Sequence, residues 1–303
     1  TMNAQRYEAR RETLRAAMRE KGLSALLVSH AANRFYLSGF ELHDVQLNES
    51  AGYLIVTADG NDWLCTDPRY LDAARRLWPE ERVFIYSGDA PGQINGLLKD
   101  KVRGSVGFEA RAVTLDFFDK VAPGLTMERA DGMVEEMRVI KEPEEIELMR
   151  RSAALNHQLM EWVPGILVPG RTEAEIAWDI EKFFREHGAS ELAFSSIVGV
   201  GPNGALPHYA PGDVPLTENC PVLVDVGARL DLYNSDQTRT FWVGDKPADH
   251  FTRALEQTKA AQAEAIRIMR PGLPVADAYR AARAHFEAQG VAAHFTHALG
   301  HGI

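Results

Sequence analysis

Cysteine is scarce in this sequence. The 303 residues contain only Cys65 and Cys220, which lie far apart and have no CxxC partner. Such a pair cannot build a disulfide framework, which excludes the small cross-linked secreted domains. No stretch approaches the roughly 18–20 apolar residues of a membrane span. The first 22 residues are charged and lack the apolar core of a signal peptide. We therefore expect a cytoplasmic protein without a membrane partner.

Basic residues are also in the minority. There are 33 Lys and Arg against 43 Asp and Glu, a formal net charge of −10, and no long run of one sign. This balance argues against nucleic acids as partners. With 45% hydrophobic and 25% charged residues, the composition is that of a globular protein with a substantial core. The length suits two domains.

The first part of the chain alternates helix and strand patterns. Apolar residues at helical spacing predict a helix over residues 6–21, and the apolar run at 25–28 predicts a buried strand. Residues 53–56 and 62–65 flank Asp59-Gly60. That dipeptide predicts a hairpin, because it supports the positive φ of a tight turn.

A helix start separates this part from the next. Pro143 is followed by Glu144 and Glu145, and proline with acidic neighbours is typical of the first turn of a helix. We predict a helix over residues 143–162. The sequence thus predicts an N-terminal α/β domain over residues 1–135 and a second domain over residues 136–303.

The second domain contains a repeat with an offset of 102 residues, in which Pro169-Gly170 recurs as Pro271-Gly272. Each copy predicts a turn, an amphipathic helix, a glycine stop and a strand. Thr172 and Glu175 form a capping-box pattern in the first copy, and Val275 replaces the cap in the second. One interpretation is two similar α/β segments. The other is a duplicated half-domain with pseudo-two-fold symmetry and a site between the halves.

Two aspartates lie in the most informative segment. Asp225 ends an apolar strand pattern at 222–226, and Asp236 precedes a second strand pattern at 238–243. An antiparallel return would bring both carboxylates together. Facing carboxylates need a cation, a shared proton or solvent between them, which a pair of divalent ions would satisfy. The alternative is that Asp225 caps a turn beside Gly227 while Asp236 lies on the surface.

Three histidines accompany these carboxylates. His297 and His301 are four residues apart in a glycine-containing segment, and His208 follows the turn signal Gly201-Pro202-Asn203-Gly204. Neutral imidazole is a common ligand of first-row metals. A structural histidine pair and an ordinary turn are the alternatives.

In this order, the segments resemble the family of prolidase, aminopeptidase P, creatinase and methionine aminopeptidase. The resemblance rests on GPNGALPHY at 201–209, VDVG at 224–227, SDQTRT at 235–240 and HALGHG at 297–302. NRFYLSGF at 33–40 and DPRY at 67–70 resemble the family's N-terminal domain, which disfavours methionine aminopeptidase. The resemblance implies an α/β (α+β) chain, with a creatinase-like domain followed by a pseudo-two-fold pita-bread metallopeptidase domain.

The resemblance also implies the roles of these residues. Asp225 would bind one divalent metal ion, Asp236 would bridge two, and His301 would bind the second. His208 and His297 would line the pocket and steady the substrate and the tetrahedral intermediate. The implied cofactors are two divalent ions per site, manganese first, with cobalt or zinc also suitable.

The implied partners are a proline-containing dipeptide or oligopeptide as substrate and a second copy of the chain in a homodimer. His43 and Asp44, in the loop after Gly39-Phe40, are the first candidates for a further contribution to the pocket. A solvated loop is the alternative for these two residues.

The sequence departs from the family pattern at its end. Two further glutamates and another histidine are expected downstream, whereas the sequence stops at Ile303 with three of the five expected metal ligands. We expect the pita-bread domain to be incomplete. The leading function is a prolidase-like dipeptidase that cleaves before proline. Aminopeptidase P activity on longer peptides, a creatinase-like hydrolase and a non-catalytic peptide-binding module are the alternatives.

Overall fold

The computed structural model describes residues 4–40 and 50–302 of the chain. The chain divides into two compact units, Thr1–Lys141 and Glu142–Ile303. The division follows shortly after the predicted boundary between residues 135 and 136, and the domain limits stay a prediction. Of the described residues, no helix is long and apolar enough to cross a membrane.

The first unit is built on one six-stranded mixed sheet. Its strands are β1 (Leu23–Val28), β2 (Gly52–Thr57), β3 (Trp63–Thr66), β4 (Val83–Ile85), β5 (Ser105–Phe108) and β6 (Thr126–Arg129). Their order across the sheet is β4-β3-β2-β1-β5-β6. The β1–β2 and β2–β3 pairs are antiparallel and the other three pairs are parallel. The helices are α1 (Ala4–Glu20), α2 (Ala31–Ser38), α3 (Leu71–Arg75), α4 (Ala90–Lys101), α5 (Leu115–Val121) and α6 (Met133–Val139).

Both faces of this sheet are covered, which explains the apolar run at residues 25–28 of β1. Side chains alternate along a strand, so Leu26 faces one hydrophobic core, shared with Leu14 of α1. Leu27 faces the other, shared with Leu98 of α4. A strand buried on both faces is apolar along most of its length rather than at alternate positions. The strand predicted at 25–28 and the helix predicted at 6–21 are both confirmed.

The predicted hairpin joins β2 to β3. Gly60 adopts a φ of 83°, in the left-handed region where a side chain would be strained. The Asp59 carboxylate accepts hydrogen bonds from Thr57 Oγ1 at 2.7 Å and from the Asn61 amide at 3.1 Å. The turn is therefore held by local contacts, as expected for an Asp-Gly sequence.

The second unit contains two three-stranded antiparallel sheets, in the orders β12-β9-β8 and β11-β10-β7. Their strands are β7 (Glu191–Leu192), β8 (Ile197–Val200), β9 (Cys220–Val226), β10 (Ala228–Leu230), β11 (Tyr233–Asn234) and β12 (Gln237–Val243). The helices are α7 (Pro143–Trp162), α8 (Glu173–Glu186), α9 (Asp249–Ile268) and α10 (Val275–Ala288). Residues of α7, α8 and β9 share one hydrophobic core.

Helix α7 confirms the helix predicted over residues 143–162. Pro143 occupies its first turn, where the missing amide hydrogen costs no hydrogen bond. A capping box satisfies backbone groups at the N-terminus of the helix, where the Glu142 amide donates to Glu145 Oε2 at 2.9 Å. The sequence signal at Pro143 therefore marks the helix start correctly.

The two copies of the repeat agree in their helices and differ after them. Helices α8 and α10 both have 14 residues and begin at the same repeat position. The strand predicted after the second copy is wrong, because Ala292–His294 form a 3-10 turn, closed by the bond from the His294 amide to Val291 O. In the first copy, β7 has β10 as its ladder partner. The second N-cap is Pro274 rather than Val275, and it has no side-chain acceptor.

Candidate functional site

Asp225 lies on the central strand of the β12-β9-β8 sheet. Burial alternates along β9, with Val222, Val224 and Val226 in the core and Asp225 half-buried on the opposite face. Although the sequence of β9 is mostly apolar, only one face of the strand packs in the core. The other face carries the Asp225 carboxylate.

The environment of this carboxylate is unfavourable to its charge. Asp225 Oδ1 is buried and, within the described residues, has no hydrogen-bond partner. Burial raises the pKa of Asp225 above its usual range, and the nearby Asp236 carboxylate raises it further. A hydrogen bond with Thr238 and the proximity of His208 act in the opposite direction on this pKa. The carboxylate is thus poised to accept a proton or a cation.

The antiparallel return predicted from the sequence is confirmed. Strand β12 pairs with β9 so that Thr238 lies opposite Asp225, and Asp236 directly precedes β12. This register brings the Asp236 carboxylate close enough to Asp225 to act on its pKa. The two aspartates, 11 positions apart in the sequence, share one site because the two strands run in opposite directions.

The histidines differ in their relation to this carboxylate pair. His301 Nε2 lies 3.6 Å from Asp236 Oδ2, and His301 Nδ1 lies 2.9 Å from Gly302 O. His208 is near enough to Asp225 to act on its pKa and adopts a left-handed φ of 57°. His297 Nδ1 lies 2.7 Å from Ala298 O, and the His297 ring lies 5.2 Å from the Phe295 ring, both within its own segment. His43 and Asp44 lie outside the described residues.

The candidate donor set suits a divalent metal ion, although its side chains are not gathered around one point. Among residues 4–40 and 50–302, no three His, Cys, Asp or Glu side chains are close enough together to hold an ion. The chemistry nevertheless fits, because two carboxylates and an imidazole are ligands that manganese, cobalt and zinc accept. The unpartnered Asp225 Oδ1 and the carboxylate repulsion are the features that a cation would relieve.

One charged residue that contacts the loop carrying His208 is absent from the sequence-based predictions. Glu173, the first residue of α8, is fully buried, and its carboxylate binds the loop that carries His208. Burial raises the pKa of Glu173, but its four hydrogen bonds lower it more, so the pKa lies below the usual range. The capping-box pattern of Thr172 and Glu175 identifies this helix start but gives no sign of the long-range bonds of Glu173.

Two family models match the chain. Residues 147–303 match metallopeptidase family M24, and residues 10–140 match the creatinase/prolidase N-terminal domain. Among curated relatives, a probable dipeptidase PepE from Mycobacterium bovis is 38% identical over 175 residues, which are 57% of this chain and 46% of that protein. The matched segment therefore spans about half the length of that relative.

Solved structures show the same fold. The chain is similar to an Xaa-Pro dipeptidase from Bacillus anthracis, with a TM-score of 0.88, 26% identity, and coverage of 99% of this chain and 82% of that one. It is also similar to dipeptidase PepE from Mycobacterium ulcerans, with a TM-score of 0.86, 27% identity, and coverage of 100% and 82%. The resemblance inferred from the motifs is confirmed. The chain belongs to metallopeptidase family M24, with a creatinase/prolidase-type N-terminal domain and a pita-bread domain.

Proposed function

We propose that this protein is a metal-dependent peptidase that hydrolyses the peptide bond before proline, as a prolidase-like dipeptidase. The observation that carries the proposal is Asp225 on the sheet face opposite the core, with Asp236 near it and, within the described residues, an unpartnered oxygen on Asp225. The family and the similarity to an Xaa-Pro dipeptidase support the same reaction.

Asp225, Asp236 and His301 are the proposed metal ligands of this chain. Asp225 would bind one ion, Asp236 would bridge two, and His301, beside Asp236, would bind the second. Manganese is the proposed metal, with cobalt or zinc as substitutes. When bound, such ions supply Lewis-acid catalysis and neutralise the two carboxylates.

His208 and His297 are the proposed substrate-binding and catalytic histidines. An imidazole N–H directed at the scissile carbonyl oxygen stabilises the negative charge that develops there as the bond is attacked. His208 is near Asp225, whereas His297 packs on Phe295 within its own segment. The bond before proline is a tertiary amide without an N–H, so the pocket needs a shape that fits the ring rather than an acceptor.

The proposed function is tested by comparing three peptides with one metal. The purified protein is treated with EDTA, supplied with Mn²⁺ and incubated with Leu-Pro, Leu-Pro-Gly or Leu-Ala. We expect cleavage of Leu-Pro only, and a loss of about a hundredfold or more in kcat/KM for Asp225→Asn and Asp236→Asn. Asp245→Asn is the control, since Asp245 is an exposed aspartate just beyond β12.

Other outcomes assign other functions. Cleavage of Leu-Pro-Gly without Leu-Pro would identify an aminopeptidase P. Hydrolysis of creatine without added metal would identify a creatinase-like enzyme, and binding of Leu-Pro without any cleavage would identify a peptide-binding module. We further propose a cytoplasmic homodimer, which light scattering of the purified protein and fractionation of cells would test.

A further inference from the structure

The Glu173 carboxylate accepts four hydrogen bonds, two on each oxygen. Oε1 accepts from the Val200 amide at 2.8 Å and from Asn203 Nδ2 at 2.9 Å. Oε2 accepts from the Tyr209 hydroxyl at 2.7 Å and from the Gly212 amide at 3.1 Å. All four donors are neutral groups, and each of them is at least 27 residues away in the sequence.

These four donors lie on both sides of His208. Val200 and Asn203 precede it, whereas Tyr209 and Gly212 follow it. Asn203 Nδ2 also donates to the Tyr209 hydroxyl at 2.9 Å, which ties the two sides of the loop to each other. The backbone of α8 adds two bonds at the far end, from the Glu173 amide to Val214 O and from the Ala174 amide to Gly212 O. The loop that carries His208 is therefore closed at both ends on one buried carboxylate.

The arrangement requires a carboxylate rather than an amide. An ionised carboxylate is an acceptor on both oxygens, whereas the amide nitrogen of glutamine only donates. With glutamine at position 173, the side-chain NH₂ group would replace one carboxylate oxygen. It would then face two hydrogen-bond donors and could accept from neither. The start of α8 supplies positive potential for the buried charge, because a helix N-terminus favours an anion. Glu173 is thus held in its charged form by its surroundings.

We propose that Glu173 is a positioning residue for His208. By fixing residues 200–203 and 209–212 at once, its carboxylate holds the intervening segment and so restrains the position of the His208 ring. The catalytic part of this inference rests on the proposed peptidase function, whereas the structural part does not. Residues 201–212 are called the His208 loop below.

The test compares Glu173→Gln with Glu175→Gln in the full chain. Glu175 is the matched control, because it lies on the same first turn of α8 but, among the residues that the structure describes, its carboxylate accepts only from the local Thr172 amide, at 2.9 Å. We expect the amides of the His208 loop to exchange with deuterium about tenfold faster in Glu173→Gln, because bonds to a charged acceptor are lost. In Glu175→Gln the exchange of the loop should match that of the wild type.

A second readout follows the imidazole itself. The ring signals of His208 in ¹H–¹⁵N spectra, assigned by their loss in His208→Gln, should shift or broaden in Glu173→Gln and stay in place in Glu175→Gln. Tyr209→Phe removes a single hydroxyl of the network and should produce a smaller change of the same kind. This milder variant decides the question if Glu173→Gln does not fold.

Kinetics then separate positioning from general stability. With Leu-Pro and Mn²⁺, we expect kcat of Glu173→Gln to fall about tenfold while KM changes less than twofold, since His208 acts on charge that develops after binding. Unchanged loop exchange and unchanged His208 signals in Glu173→Gln and Tyr209→Phe would overturn the inference. If no variant cleaves any peptide, the proposed function fails, and the exchange and ring signals still decide the role of Glu173.

Discussion

At Asp225, an electrostatic cost in the folded chain coincides with the proposed role of a metal ligand. Its carboxylate is half-buried beside a second carboxylate, and one of its oxygens lacks a partner within the described residues. Both burial and like charge disfavour the ionised form. A bound cation would offset both contributions, because it supplies an attractive positive charge.

Replacing Asp225 by asparagine should therefore have opposite effects with and without metal. In EDTA we expect the free energy of unfolding to rise by about 1 kcal/mol, because asparagine removes both the cost of burying the charge and the repulsion from Asp236. The wild type should gain about 2.7 kcal/mol from Mn²⁺ at a hundred times its Kd, and the variant should gain almost nothing. Urea unfolding with EDTA and with Mn²⁺ measures both.

The control for this prediction is Asp245→Asn, which removes the same charge from an exposed position. Its stability should stay within about 0.5 kcal/mol of the wild type, with the metal response retained. An Asp225→Asn variant that is less stable in EDTA would contradict the electrostatic account of this site.

Helices α8 and α10 compare two starts at equivalent repeat positions. Thr172 caps α8, where its hydroxyl accepts from the Glu175 amide at 3.2 Å, whereas Pro274 at the start of α10 offers no acceptor. The first residue of each helix differs in burial, because Glu173 of α8 is fully buried whereas Val275 of α10 is 86% exposed. The same Pro-Gly turn thus precedes a capped and buried helix start in the first copy, and an uncapped, exposed helix start in the second copy.

The same substitution should have opposite effects at a cap and inside a helix. Thr172→Ala should lower the free energy of unfolding by about 1 kcal/mol, because the orphan amide at the helix start loses its acceptor. Thr258→Ala, at an exposed position within α9, should be neutral or stabilising by up to about 0.7 kcal/mol, because alanine has the higher helix propensity. Thermal unfolding of both variants checks the pair, and equal losses would contradict it.

At the scale of the whole molecule, each unit has a core of its own. The first unit buries apolar residues on both faces of its sheet, and the second packs α7 and α8 against β9. Helices α9 and α10 form a separate cluster through Ala261, Ala265, Ala278 and Ala282. A core confined to one unit should make core substitutions act locally.

Leu26→Ala and Ile180→Ala test this locality. Both side chains are fully buried, and each truncation should cost about 2–5 kcal/mol. We expect Leu26→Ala to speed amide exchange in residues 4–40 and 50–141, and Ile180→Ala to speed it in residues 142–302. Faster exchange throughout the chain in both variants would show that the units unfold together.

Local signals account for the parts of the fold that were predicted correctly. The start of α7 at Pro143, the turn at Gly60 and the antiparallel return after Asp225 follow from residues within a few positions of one another. The failed strand after Gly290 shows the limit of such signals, because a strand needs a ladder partner that a local pattern does not supply.

The sequence by itself determined the family motifs, the two strands that bring Asp225 and Asp236 together, and the helix that begins with Glu173. Only the tertiary structure decided that Glu173 bonds to both sides of the His208 loop, and that His208 and His301 approach the carboxylates while His297 packs on Phe295. The reason is physical. Helix starts and turns depend on neighbours in the chain, whereas the distance between side chains far apart in sequence is set by how the strands and loops pack.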